Sequence, residues 1–139
     1  MSLSPKEKDR KKFDLDLAYG KVREELVKEM LQDKKIEVKS ERDVWKRTGN
    51  IAIEYESWNK PSGIAATEAD YWFHNLCVGD ETYATLVFKT DNLKKILNSL
   101  EKKVTVRGGD HNASKMYLIN LQKLFDIKTI KEYVDLKWT

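Results

Sequence analysis

The chain has 139 residues, of which 40% are hydrophobic and 35% are charged, and its formal net charge is +3. This length is enough for one domain with its own core. The single cysteine, Cys77, excludes an internal disulfide, and two isolated histidines argue against a structural zinc site. Because no stretch approaches the ~18 apolar residues of a membrane span, we expect a cytoplasmic protein that does not contact a membrane.

Residues 1–12 carry five basic and two acidic side chains, so they account for the whole net charge. We expect a disordered basic tail over 1–12 and a single domain over 13–139. The tail is either a solvated leader or a contact for a phosphate backbone. The rest of the chain is neutral overall and lacks the domain-wide basic surface of dedicated nucleic-acid binders.

Apolar residues recur at helical spacing over 16–33, which predicts the first helix. Two runs with a period of two follow, IEVK at 36–39 and IAIEYE at 51–56, and we predict that they form neighbouring strands of a hairpin. Alternation then places four charged residues on one face of that hairpin: Glu37, Lys39, Glu54 and Glu56.

The Pro-Ser-Gly segment around 61–63 predicts an irregular connection. Thr67 is a suitable N-cap for a helix over 68–77, and a third strand is predicted over 81–89. An amphipathic helix over 90–102 and a strand over 103–108 follow. Residues 114–126 fit either a strand or a short helix, and the remaining tail is helix-like. The order α-β-β-α-β-α-β predicts an α/β layered sandwich.

The acidic face of the hairpin has two interpretations. Such a face is often simply solvated, with Lys39 pairing to acids across the strands. Three carboxylates to one amine is, however, a ratio that suits a hard divalent cation such as Mg²⁺. Glu24 adds to this set, because it flanks the apolar stripe of the first helix.

The run "DLAYGKVREE … KIEVKSERDVW … TGNIAIEYES … PSGIAATEADYW" resembles small phage-type members of the PD-(D/E)XK nuclease superfamily. The resemblance covers roughly residues 14–90 and implies a restriction-endonuclease-like three-layer sandwich with a central mixed sheet between helices. Carried over, the helix acid is Glu24, the strand acid is Glu37, and the acid of the third motif is Glu54.

The third motif of that superfamily ends in a lysine, whereas this chain has Glu56 at that place. Lys39, two residues after Glu37, is the residue that we expect to supply the amine. A second alignment takes IEVK itself as the third motif, but it leaves only Asp33 upstream as strand acid, too close to allow a hairpin.

The resemblance implies a metal-dependent endonuclease that hydrolyses DNA, with branched or repair intermediates as candidate substrates. Glu37, Glu54 and Glu24 would hold Mg²⁺, for which Mn²⁺ can substitute; Lys39 and Glu56 complete the catalytic set. Asp43 is an outer-shell candidate. The expected DNA contacts are Arg107, Lys46, Arg47 and Lys60.

The same resemblance implies a homodimer without a small-molecule cofactor, encoded by a phage and acting in the host cytoplasm. The alternative is a module that binds DNA or protein without catalysis and retains the nuclease fold. The missing lysine of the third motif and the neutral charge beyond residue 12 favour this alternative.

Overall fold

The computed structural model of the protein describes residue 2, residues 4–100 and residues 103–134. It divides into two units, Met1–Lys34 and Lys35–Thr139. Within the described residues, no helix combines the length and the apolar character needed to cross a membrane.

Helix α1, Pro5–Asp33, makes up almost all of the first unit. Its start is fixed by a capping box, in which Ser4 Oγ accepts from the Glu7 N–H and the Glu7 carboxylate accepts from the Ser4 N–H. The helix therefore begins well before residue 16, and residues 5–12 are helical rather than disordered. None of its residues is buried.

The second unit alternates strands with short helices and has 3-10 turns at Gly63–Ala65 and Asp110–Asn112. Its strands and helices are β1 Ile36–Glu41, α2 Val44–Thr48, β2 Asn50–Ser57, β3 Lys60–Pro61, β4 Tyr71–Val78, β5 Glu81–Lys89, α3 Thr90–Ser99, β6 Val104–Gly108, β7 Ser114–Asn120, α4 Leu121–Leu124 and α5 Ile127–Tyr133.

The strands form two sheets. The first sheet has the order β1-β4-β5 and is mixed, because β1 runs parallel to β4 and β4 antiparallel to β5. The second sheet, β3-β2-β7-β6, is antiparallel. The α/β class is confirmed, but two sheets take the place of one central sheet.

The predicted hairpin between IEVK and IAIEYE is wrong, because β1 pairs with β4 and β2 pairs with β7. The residues between them are not a tight turn. They contain helix α2, which is capped by Gly49 in the left-handed conformation (φ 73°). The chain thus passes from the first sheet to the second.

The helix predicted over 68–77 is also wrong, since most of this segment is strand β4. Thr67 does not cap a helix; its hydroxyl accepts from the Ala69 N–H at 3.2 Å in a local turn. In β4 every second side chain is buried, namely Trp72, His74 and Leu76. This period of two, with β-favouring aromatic residues, identifies a strand with one buried face.

Helix α3 has the amphipathic pattern predicted for it and buries Leu93, Ile96 and Leu97. The segment left open between strand and helix contains both, as β7 followed by α4. One continuous core joins the inner side chains of both sheets and of the helices of the second unit; its most deeply buried members are Ile51, Ile53, Trp72 and Leu93.

Candidate active site

A polar cleft of about 240 Å³ has walls from β1 and β4 of the first sheet and from β2 and β7 of the second. Alternation along β1 places Lys39 and Glu41 on the same face, and β4 presents His74 beside them in register. The residues that line the cleft are Lys39, Ser40, Glu41, Ala52, Glu54, His74 and Met116.

Glu41 links the two sheets through one carboxylate oxygen. Its Oε1 accepts from the Ala52 N–H at 2.7 Å and from His74 Nε2 at 2.8 Å. The Glu41 side chain is 18% exposed, so these bonds form away from bulk water. Because both use Oε1, the carboxylate is oriented while Oε2 is left for another ligand.

The His74 ring is buried, and its hydrogen bonds define its tautomer. Its Nδ1 accepts from Trp72 Nε1, an obligate donor, at 3.1 Å. The proton of the neutral ring is therefore on Nε2, which donates to Glu41. The two hydrogen bonds that connect Trp72, His74 and Glu41 orient the Glu41 carboxylate from inside the fold, as outer-shell groups do at metal sites.

Glu54 is held by the Pro-Ser-Gly segment. The Ser62 hydroxyl donates to Glu54 Oε2 at 2.5 Å. Gly63 has a φ of 52°, and a Cβ there would lie 2.2 Å from the Glu54 carbonyl oxygen. Only glycine fits this approach, so the segment that the sequence presents as a plain connection also positions an acid.

A β-bulge separates Glu54 from Glu56. Glu54 is opposite Met116, whereas Glu56 is opposite Lys115, its neighbour along β7. Successive strand residues point to opposite faces, so the two acids lie on opposite faces of the second sheet. Glu56 forms an ion pair with Lys115 at 2.7 Å. The predicted common face of Glu54 and Glu56 is therefore wrong.

Lys39 lies beside an acid and above an aromatic ring. Its Nζ is 3.5 Å from Glu37 Oε1 and 5.9 Å from the centre of the Trp72 ring. The Glu37 side chain is partly exposed and lies outside the cleft lining. Lys39 thus lines the cleft between the two sheets, while Glu37 lies beside it as a partner of opposite charge.

The other two predicted acids, Glu24 and Asp43, are not among the residues that line the cleft. Glu24 is exposed on α1, in the first unit. Asp43 precedes α2, and its Oδ1 accepts from the Gly79 N–H at 2.8 Å, which ties α2 to the β4–β5 turn. This contact gives Asp43 a structural role away from the cleft lining.

The predicted DNA-contacting residues are all exposed but lie on three separate elements. Lys46 and Arg47 lie in the last turn of α2, where positive side chains interact favourably with the helix dipole. Lys60 begins β3, and Arg107 lies on β6.

Among the residues that the structure describes, no group of three or more histidine, cysteine, aspartate or glutamate side chains is arranged to hold a metal. The cleft does bring together two carboxylates, Glu41 and Glu54. Mg²⁺ usually binds through one or two carboxylates and keeps several waters, so this donor set fits Mg²⁺ and does not suit zinc.

Two cleft residues were missed from the sequence. The period of two that selected Glu37 and Lys39 continues to Glu41, so extending the strand by two residues would have found it. His74 lies in the segment predicted as a helix over 68–77, and the strand alternation of β4 is the signal that would have placed it beside β1.

Comparison of the chain with family models, curated proteins and solved structures found no match. The function is accordingly argued from the chemistry of the cleft.

Proposed function

We propose that the protein is a Mg²⁺-dependent endodeoxyribonuclease and that the cleft between the sheets is its active site. The observation that carries the proposal is the pair of oriented carboxylates, Glu41 and Glu54, facing a lysine in one polar cleft. A face that is merely solvated does not need a buried histidine and a close glycine turn to fix its acids.

The residues that would hold the ion are Glu41, through its unused Oε2, and Glu54, which Ser62 orients. When bound, Mg²⁺ supplies polarisation of a phosphoryl oxygen and a lower pKa for a coordinated water. Lys39 offsets negative charge that develops on the phosphoryl group, and Glu37 lies beside its ammonium as an ion-pair partner.

DNA as the substrate is supported by the resemblance of residues 14–90 to the PD-(D/E)XK nucleases and by the exposed basic residues of α2, β3 and β6. A cytoplasmic location and a homodimer belong to the same proposal. The non-catalytic module differs from it in one measurable respect, since it requires no metal for its action.

The test is a cleavage assay on linear, flapped and four-way DNA, with Mg²⁺, with Mn²⁺ and with a chelator. We expect metal-dependent cleavage by the wild type and none by Glu54→Ala, whose fold is checked by circular dichroism. Cleavage that is unchanged in Glu54→Ala contradicts the proposal, and binding of DNA without any cleavage favours the non-catalytic module.

A further inference from the structure

Helix α1 carries a continuous apolar stripe along one face. Its members recur every three or four residues, which is the spacing of one side of a helix. We call this set the α1 stripe; it consists of Leu15, Ala18, Tyr19, Val22, Leu26 and Met30. The apolar residues of the opposite face fall into two separate pairs, because Gly20 and Glu24 lie between them.

The side chains of the α1 stripe are not covered by the fold, since none of the residues of α1 is buried. Leu15 and Tyr19 are 63% and 65% exposed, and Val22 and Leu26 are 52% and 46% exposed. Helices in proteins gain most of their stability by packing an apolar face, and contiguous apolar surface is uncommon on monomeric proteins. A 29-residue helix with an uncovered stripe therefore calls for a partner surface.

The charges of α1 are divided between its two ends. Residues 5–12 carry five basic and two acidic side chains, a net charge of +3, whereas residues 24–33 carry four acidic side chains and one basic, a net charge of −3. Two parallel copies of the helix would place like charges side by side, while two antiparallel copies place each basic end beside an acidic end. The charge distribution therefore matches a second, antiparallel copy of the same helix.

The α1 stripe is also self-complementary in that orientation. When Leu15 of one copy lies opposite Leu26 of the other, the two-fold symmetry of the pair places Tyr19 opposite Val22. Each large apolar side chain in the middle of the stripe then has an apolar partner. In the same register, pairs of opposite charge lie beyond both ends of these apolar layers. These pairs are Lys12 with Glu29 and Lys8 with Asp33.

We propose that α1 pairs with α1 of a second copy of the chain as an antiparallel two-helix coiled coil, with the α1 stripe as the interface. This inference deepens the proposed function by giving its homodimer an interface, and it rests on that function only for the expectation of two copies. The residues that line the cleft take no part in the interface.

The test is sedimentation equilibrium of the full chain. We expect the wild type to sediment with twice the 16.3 kDa mass of one chain. Leu26→Glu places a charge in an apolar layer and should raise the dimer Kd at least ~100-fold. Leu17→Glu, the same substitution at a 57% exposed leucine on the opposite face, is the matched control and should stay within about threefold of the wild type.

A wild type that is monomeric up to about 100 μM overturns the inference, as does an equal effect of the two glutamate variants. Disulfide crosslinking tests the orientation without a charge in the interface. Leu15→Cys and Leu26→Cys are prepared separately, each with Cys77→Ser so that the new thiol is the only one. Antiparallel pairing predicts a disulfide-linked dimer in a mixture of the two proteins and none in either protein alone. A disulfide in either protein alone, or none in the mixture, contradicts it.

The two proposals fail in different ways. If the wild type is monomeric and cleaves DNA with Mg²⁺, the nuclease stands and the pairing of α1 is refuted. If the wild type forms a dimer that Leu26→Glu disrupts and no metal supports cleavage, the α1 interface stands and the nuclease is refuted.

Discussion

The two faces of the second sheet give neighbouring acids of one strand different surroundings. On the cleft face, Glu54 is fixed by Ser62 and faces Lys39 and Glu41. On the other face, Glu56 forms an ion pair with Lys115 beside a stacked tyrosine pair. One bulged residue separates these environments, so the chemical role of an acid here is decided by strand register rather than by residue type.

The largest expected effect comes from exchanging each of these two acids, Glu54 and Glu56, for its amide. Glu54→Gln should reduce the rate of metal-dependent DNA cleavage by at least ~100-fold, because the loss of a metal ligand exceeds the 10–100-fold effect of outer-shell groups. Glu56→Gln should stay within about threefold of the wild type. Rates come from single-turnover assays on one labelled substrate, and a larger loss in Glu56→Gln would reverse the assignment of the faces.

The free energy of unfolding also reports on the surroundings of Glu54, because the backbone of Gly63 lies against this residue. Gly63→Ala should lower the free energy of unfolding by about 3 kcal/mol, since strain at positive φ adds to a clash with the Glu54 carbonyl. Gly79→Ala is the matched control: its φ is 59° and nothing lies within 4 Å of the added Cβ. It should cost only about 1 kcal/mol. Equal losses in urea unfolding would show that the close approach to Glu54 is unimportant.

Ser62→Ala tests whether the orientation of Glu54 matters beyond its presence. We expect cleavage to fall about tenfold, in the range of outer-shell effects, with a loss of stability of only about 1 kcal/mol. Ser99→Ala, which removes a hydroxyl bonded to the Ile96 carbonyl at the end of α3, serves as the control. A fall in cleavage no greater than that of the control would mean that Ser62 does not position the acid.

The smallest expected effect concerns the face opposite the cleft. The pKa of Tyr117 is raised above its ordinary value, first by burial and then by the nearby Tyr55. The stability linked to Tyr117 is therefore complete below the ordinary tyrosine pKa of about 10 and is lost as the pH rises through the raised value. Melting temperatures of the wild type should fall in that range more than those of Tyr117→Phe, and parallel curves would contradict this.

Local patterns predicted the parts of the fold that depend on one segment. The alternation of β1 placed Lys39 on the face that enters the cleft, and the amphipathic period of α3 selected its buried leucines. Alternation along β2 also placed Glu54 on a polar face, and the resemblance implied its place as the acid of the third motif. Each of these predictions rests on a pattern of apolar and polar residues that repeats within one short segment.

Features that depend on distant pairing could not be predicted in this way. Nothing within IEVK indicates that its partner is β4 rather than β2. No glycine marks the bulge at Tyr55. Strand alternation was therefore continued without a break past Glu54, and this placed Glu56 on the wrong face of the sheet. Thr67, which precedes β4, is a good N-cap residue. It led to the prediction of a helix although the residues that follow alternate as in a strand.

The central claim is that Glu41 and Glu54 together form a divalent metal site. Calorimetric titration of Mn²⁺ into the wild type, Glu41→Gln, Glu54→Gln and Glu56→Gln tests it without DNA. We expect one binding event in the wild type and in Glu56→Gln, and its loss in the other two variants. No binding to the wild type, or the same binding in all four proteins, would contradict the claim.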